Sequence, residues 1–164
     1  ISRSITTINH PSYPIRFLIL DSPTESSLPA YLNEFIHLNV STVVRCCQPT
    51  YNSQILLQRG ISVIDLPFKD GSIPPPQVVH QWLNCINKAK LSIETQKQQQ
   101  QQQYQQQQRL TIAVHCIAGL GRAPVLVAIA LIELGMSPLD AMGYVREKRR
   151  GSFNKSQISF LDEY

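Results

Sequence analysis

A chain of 164 residues with 43% apolar content suits one domain with a buried core, and a net charge of +4 with a pI near 9.0 favours anionic partners only mildly. The basic residues are scattered and aromatics are few, so nothing calls for nucleic acid. The four cysteines, at 46, 47, 85 and 116, have neither CxxC spacing nor the density of a disulfide scaffold, which points to a reducing cytoplasmic compartment.

No apolar run reaches transmembrane length, and the first residues lack a basic-then-apolar signal pattern. IRFLIL (15–20), STVVRC (41–46), ISVID (61–65) and LTIAV (110–114) are short, apolar, β-branched-rich runs and read as strands covered on both faces. Between them Leu28, Tyr31, Leu32, Phe35 and Ile36 recur at helical spacing, as do Val79, Trp82, Leu83, Ile86 and Ile93. Strands alternating with helices predict an α/β fold with a central, mainly parallel sheet of four to five strands, in one domain over 1–164. Gly60, Gly135 and Gly151 stand where helices should stop. SPLD (137–140) offers a Ser N-cap with Pro at the first helical position, and Asn154 with Gln157 forms a second capping signature. The glutamine-rich stretch at 95–109 has nothing to bury and reads as a disordered loop inserted before the last strand. Loop closure costs little more as a loop lengthens, so such an insertion need not damage the fold.

The chemistry concentrates in HCIAGLGRAP (115–124), between LTIAV and the helical run VLVAIALIELG. A strand ending at His115 and a helix starting near Arg122 leave Ile117, Ala118, Gly119, Leu120, Gly121 and Arg122 as a tight loop whose N–H groups converge on one point. Gly119 and Gly121 let an anion approach the backbone, the helix start adds partial positive charge, and Arg122 adds a planar fork matched to phosphate oxygens. The same field favours the Cys116 thiolate, the form that attacks. The expected reaction is phosphoryl transfer to Cys116 followed by hydrolysis, with no metal and no cofactor. His115 orients and hydrogen-bonds rather than acting as base. A nucleotide-binding loop of the Walker type would end in Gly-Lys-Ser/Thr, and this one ends in Gly-Arg-Ala.

The leaving group needs a proton, so an acid should sit on a nearby flexible loop. IDLPFKDGSIPPP (64–76) is that loop. Asp70, beside Gly71 and well past the strand end, is favoured over Asp65, which closes the strand; Asp70 also reads as an ordinary turn residue before glycine. Cys47 reads from the residues alone equally as a redox thiol or as a small apolar side chain at a strand end, Cys46 should point to the opposite face, and Cys85 reads as core.

VHCIAGLGRAPVLVAIALIELGM, REKRRGSFN, TVVRCCQPTY and LPFKDG resemble stretches of the phosphatases of regenerating liver, the prenylated PRL family within the dual-specificity cysteine-dependent protein tyrosine phosphatases. The resemblance spans nearly the whole chain apart from the glutamine insert. It implies Cys116 as nucleophile, Arg122 as phosphate clamp, Asp70 as loop acid, and Cys47 as the thiol that forms a reversible disulfide with Cys116. It also implies phosphotyrosine or other phosphomonoester substrates, and engagement of the CBS-pair domains of membrane magnesium transporters through the phosphate pocket. Peripheral attachment at the cytoplasmic face of membranes and homo-oligomers follow from the same resemblance.

The family's polybasic tail and CaaX box are not among these residues, and a trimmed chain would carry them beyond Tyr164. The cluster Arg146, Lys148, Arg149 and Arg150 reads either as a lipid-facing patch or as a solvated helix end. Leu66 and Lys69 replace the Trp and first Asp of the family's Trp-Pro-Phe-Asp-Asp loop, and Gln48 stands where an acid is usual. Ala123 follows the arginine where the wider superfamily has Ser or Thr, whose hydroxyl stabilises the departing thiolate. Losing such a donor costs on the order of 2.7–4 kcal/mol, so the second step should be slower by about a hundredfold or more. Sulfur transfer and arsenate reduction also pair a cysteine with an arginine, but His115 and Asp70 argue against them.

Overall fold

The computed structural model describes residues 5–100 and 109–164. In chain order it contains β1 (Ile5–Asn9), β2 (Ile15–Asp21), α1 (Leu28–His37), β3 (Val40–Arg45), α2 (Gln54–Leu57), β4 (Ser62–Asp65), α3 (Pro76–Gln100), β5 (Leu110–Cys116), α4 (Arg122–Glu133), α5 (Pro138–Lys148) and α6 (Lys155–Asp162). The expected α/β architecture is present. A five-stranded sheet runs β1-β2-β5-β3-β4, with β2, β3 and β4 in the parallel part around central β5.

The strand that the sequence did not announce is β1, which pairs antiparallel with β2 at the sheet edge. ITTIN carries two threonines and buries only Ile8 fully, so it lacks the continuous apolar run of a central strand.

Two apolar layers cover the sheet. On one face Trp82, Ile86 and Ile93 of α3 pack with α4, whose residues 122–131 are all buried, and with Leu161 of α6. A helix apolar on every side belongs in an interior, and α4 sits there. Trp82 Nε1 donates to the Leu126 carbonyl at 2.7 Å, which ties α3 to α4. On the other face Leu28, Tyr31, Leu32 and Phe35 of α1 pack with Tyr51 and Leu56. Ile36, expected on that apolar stripe, is 44% exposed.

The expected caps are in place. Ser137 accepts from the Asp140 amide, and Asn154 and Gln157 form a reciprocal capping box at the start of α6. Gly60, Gly135 and Gly151 adopt positive φ just beyond α2, α4 and α5.

The glutamine stretch departs from expectation at its start. Residues 95–100, read as loop, are the end of α3. Extending a helix already anchored by buried Trp82 to Ile93 needs no new nucleation, and glutamine is a good helix former. Of the rest of that expected loop, 101–108 lie outside the described residues, and Arg109 is in neither helix nor strand.

Parallel strands align their carboxyl ends, and register does the rest. Asp21 is opposite Cys116, His115 opposite Arg45, and Arg45 opposite Asp65. Four strand ends therefore present their last side chains along one rim, where open α/β sheets place their ligands.

Candidate active site

Cys116 ends β5 and is 2% exposed. The Gly119 amide donates to its Sγ at 3.2 Å, so the loop backbone already turns N–H groups towards sulfur. Gly119 has φ +67°, and a Cβ there would lie 2.5 Å from Arg149 Nη2 and 3.0 Å from the Leu20 carbonyl. Both conformation and space thus require glycine. Gly121 caps α4 without a side-chain hydrogen bond, so the first-turn amides of α4 keep their partial positive charge for an anion.

Arg122, 8% exposed, opens α4 beneath this loop. Its Nη1 donates to the carbonyls of Cys46 (3.3 Å) and Phe68 (3.2 Å), joining the end of β3 to the acid loop. Its Nε makes no hydrogen bond among the described residues and faces Asp70 Oδ1 at 3.6 Å, an ion pair without hydrogen-bond geometry. Asp70 is 83% exposed in its side chain. Asp70, Arg122, Cys47, Gln48, Pro67, Phe68 and Lys69 line a cleft of about 340 Å³. A larger cavity of about 450 Å³, bordered by Ser41, Ser62, Cys85 and Lys88, lies at the opposite ends of the strands and contains none of the predicted reactive groups.

The structure separates the two acid candidates. Asp65 is held by Arg45 in a two-pronged pair, Nε to Oδ1 at 2.6 Å and Nη2 to Oδ2 at 3.0 Å. Arg45 also donates to the Tyr51 carbonyl at 3.0 Å and stacks 5.1 Å from the Tyr51 ring centroid. Asp65 is thereby committed to bracing the rim, and Asp70 alone of the two stands at the cleft.

Tyr51 Oη in turn lies 2.8 Å from His115 Nε2. Burial, reinforced by the Arg45 charge and only partly offset by Asp65, pushes His115 down to about 4. His115 is therefore neutral at physiological pH. Burial also drives the Tyr51 phenol upward. The pair is a neutral hydrogen-bonded prop behind the cysteine, in keeping with an orienting histidine.

This geometry has relatives. The chain is 48% identical over 149 residues to a protein tyrosine phosphatase type IVA of Dictyostelium discoideum, covering 91% of this chain and 81% of that one. It is 45% identical to the PRL-1 phosphatase of Drosophila melanogaster, covering 92% and 77%. The chain belongs to the PRL, or type IVA, protein tyrosine phosphatase family. Among solved structures, a protein tyrosine phosphatase of Leishmania major superposes with a TM-score of 0.79 at 40% identity over 98% of both chains. The kinase-associated phosphatase, at 17% identity and a TM-score of 0.68 over 97% of this chain and 92% of its own, shares the fold. No family model matches the chain.

Within this PRL-family frame the vicinal cysteines part company. Cys47 opens onto the cleft with its Sγ 3.9 Å from Ser22 Oγ, while Cys46 is fully buried in the apolar cluster that also holds Cys116. Burial first, then the neighbouring Cys116, pushes the Cys46 thiol well up; burial raises Cys47 too, against the pull of Ser22 and Arg122. All four cysteines are free thiols. No disulfide joins Cys47 to Cys116 in this structure. Cys85 is buried against α3's partners, as expected of core.

Arg149 is the residue that sequence reasoning missed. Read as part of a surface basic cluster, it is instead 10% exposed in its side chain and clamps the phosphate loop from behind. Its Nε donates to the Gly119 carbonyl (2.7 Å), its Nη2 to the Ala118 carbonyl (3.2 Å) and Asp21 Oδ1 (2.8 Å), and its Nη1 to Ile19 O (3.2 Å) and Thr6 Oγ1 (2.9 Å). Arg146 donates to the Ser152 carbonyl and Lys148 sits over the Tyr144 ring, so Arg146, Lys148 and Arg149 all have partners among the described residues. Gly119 in the sequence signals a close approach to the backbone but not that Arg149 makes it.

The loop that carries Asp70 makes backbone hydrogen bonds of its own. Leu66 and Phe68 amides donate to Arg45 and Cys46 carbonyls, and the Ser72 amide closes a turn onto Lys69. Leu66, in place of tryptophan, is 1% exposed and fills the same core as Cys116.

Proposed function

We propose that this PRL-family chain is a low-turnover phosphomonoester hydrolase, acting on phosphotyrosine or other accessible phosphomonoesters through a phosphocysteine on Cys116. The observation that carries the reading is the strand-end Cys116 with the Gly119 N–H 3.2 Å from its sulfur and Arg122 at the helix start behind it. The Cys116 thiolate attacks phosphorus, the ester P–O bond breaks, and Asp70 gives its proton to the departing oxygen. Arg122 Nε and the loop amides hold the phosphoryl oxygens as charge shifts. Water, deprotonated by Asp70, then attacks phosphorus and the S–P bond breaks, returning the thiolate. At 0% exposure beside that sulfur's loop, Ala123 offers no hydroxyl to the leaving thiolate, which slows this second step.

Incubating reduced protein with phosphorus-labelled aryl phosphate and quenching in acid tests the proposal. It expects about one label per chain on Cys116 and none on Cys116→Ser; labelling of the serine variant, or none of the wild type, would remove it.

Redox control belongs to the same proposal. Peroxide converts the Cys116 thiolate to sulfenic acid, and the Cys47 thiol displaces water to form the disulfide. Peptide mapping after mild peroxide should find Cys47 linked to Cys116, and a Cys46–Cys116 link would reassign the partner.

A second reading has its own support, since Arg122 already faces a carboxylate. An acidic side chain of a magnesium transporter's CBS-pair domain would occupy the same pocket, and phosphate should then displace that domain from the protein.

A further inference from the structure

Phe153 is the one aromatic residue with positive φ among the described residues, at +71°. A bulky side chain in that region is strained by about 1–3 kcal/mol and persists only where its surroundings hold it. Here the surroundings are the catalytic loops. The Phe153 amide donates to the Leu120 carbonyl at 3.1 Å, within the phosphate loop, while its ring is buried in the core. The next residue, Asn154, donates from Nδ2 to the Gly71 carbonyl at 2.9 Å, and Gln157, 1% exposed, donates from Nε2 to the Ser72 carbonyl at 3.3 Å. Gly71 and Ser72 directly follow Asp70, in the turn that Ser72 closes onto Lys69.

Gln157 meets the phosphate loop as well, since a Cβ on Gly121 would come within 3.3 Å of its Nε2. The five residues 153–157 therefore touch both the nucleophile's loop, through Phe153 and Gln157, and the acid's turn, through Asn154 and Gln157.

We propose that segment 153–157 is a strap that sets Asp70 over the phosphate loop, with Asn154 as a positioning residue for proton donation to the leaving group. The inference rests on the phosphatase reading above. Capping α6 needs only the Asn154 side-chain oxygen, which accepts from the Gln157 amide at 2.9 Å; holding the acid turn needs its nitrogen. The two roles sit on different atoms of one side chain and can be separated. Asn154→Asp keeps the capping oxygen and removes the donor to Gly71, and Asn154→Ser does so without adding charge, serine being a good N-cap.

The experiment measures kcat/KM, which reports phosphoryl transfer to Cys116, for wild type, both Asn154 variants and Asp70→Asn on two substrates. Phenyl phosphate leaves as a phenol of pKa about 10, like tyrosine, and needs the acid; 4-nitrophenyl phosphate leaves without it. Both Asn154 variants should be slower by about tenfold on phenyl phosphate, a fraction of what a general acid contributes, and unchanged within about twofold on the nitrophenyl ester. Thermal melts of the variants check that α6 stays folded. Wild-type rates on both esters from both Asn154 variants, with Asp70→Asn slow on phenyl phosphate alone, would overturn the strap and leave the phosphatase reading intact. Asp70→Asn equal to wild type on both esters would instead remove Asp70 as the acid, and the strap with it.

Discussion

Arg122 Nε stands 3.6 Å from Asp70 Oδ1, so the cation of the phosphate loop and the carboxylate of the acid loop face each other across the cleft. The carboxylate is largely solvated, and such a pair adds at most about 1 kcal/mol to stability. Its value is geometric. Asp70→Asn should leave urea unfolding within about 1 kcal/mol of wild type while kcat/KM on phosphotyrosine peptides falls by about a hundredfold or more.

Arg149 carries the opposite balance. Its guanidinium serves Gly119, Ala118, Asp21, Ile19 and Thr6 together, and a lysine ammonium cannot match that fork. Arg149→Lys should lower stability by about 3 kcal/mol and slow phosphocysteine formation. Urea unfolding and the pre-steady-state rate check the two effects.

Gly119→Ala tests the same packing from the other side. Its Cβ would meet Arg149 Nη2 at 2.5 Å in a left-handed backbone, a loss of about 2 kcal/mol. Because one contact causes part of both losses, the Gly119→Ala/Arg149→Ala double variant should lose less than the two single variants added together.

Acid should weaken the protein through His115. Its folded value of about 4 lies below the ordinary 6.5 of the unfolded chain, so the unfolded state binds more protons between those limits. The neutral-histidine stability is complete above about pH 6.5 and is lost as pH falls towards 4, on the order of 3 kcal/mol for this side chain. His10, also lowered by burial, adds in the same direction. Melts across that window should show a shallower pH slope for His115→Gln than for wild type.

The residues explain what was legible in the sequence. The apolar runs of β2, β3, β4 and β5, and the glycine-rich turn after Cys116, announce themselves because each depends on local composition. Position in the loop favours Asp70 over Asp65 but does not show what occupies Asp65; the Arg45 fork that claims it forms only when β3 and β4 align. Arg149 was hidden for the same reason. Its role depends on a carbonyl 30 residues earlier in the chain, and nothing local distinguishes it from its basic neighbours. The start of the glutamine tract failed differently, because low complexity argues against a core but not against prolonging a helix that already has one.

The central claim is a phosphocysteine that forms quickly and breaks slowly because Ala123 lacks a hydroxyl. Stopped-flow mixing of reduced protein with excess aryl phosphate, comparing wild type, Ala123→Ser and Cys116→Ser, tests it most directly. The account predicts a burst of about one equivalent, a slow phase accelerated about tenfold or more by Ala123→Ser, and no burst from Cys116→Ser. A folded Ala123→Ser protein whose slow phase is unchanged, or fully reduced wild type without a burst, would contradict it.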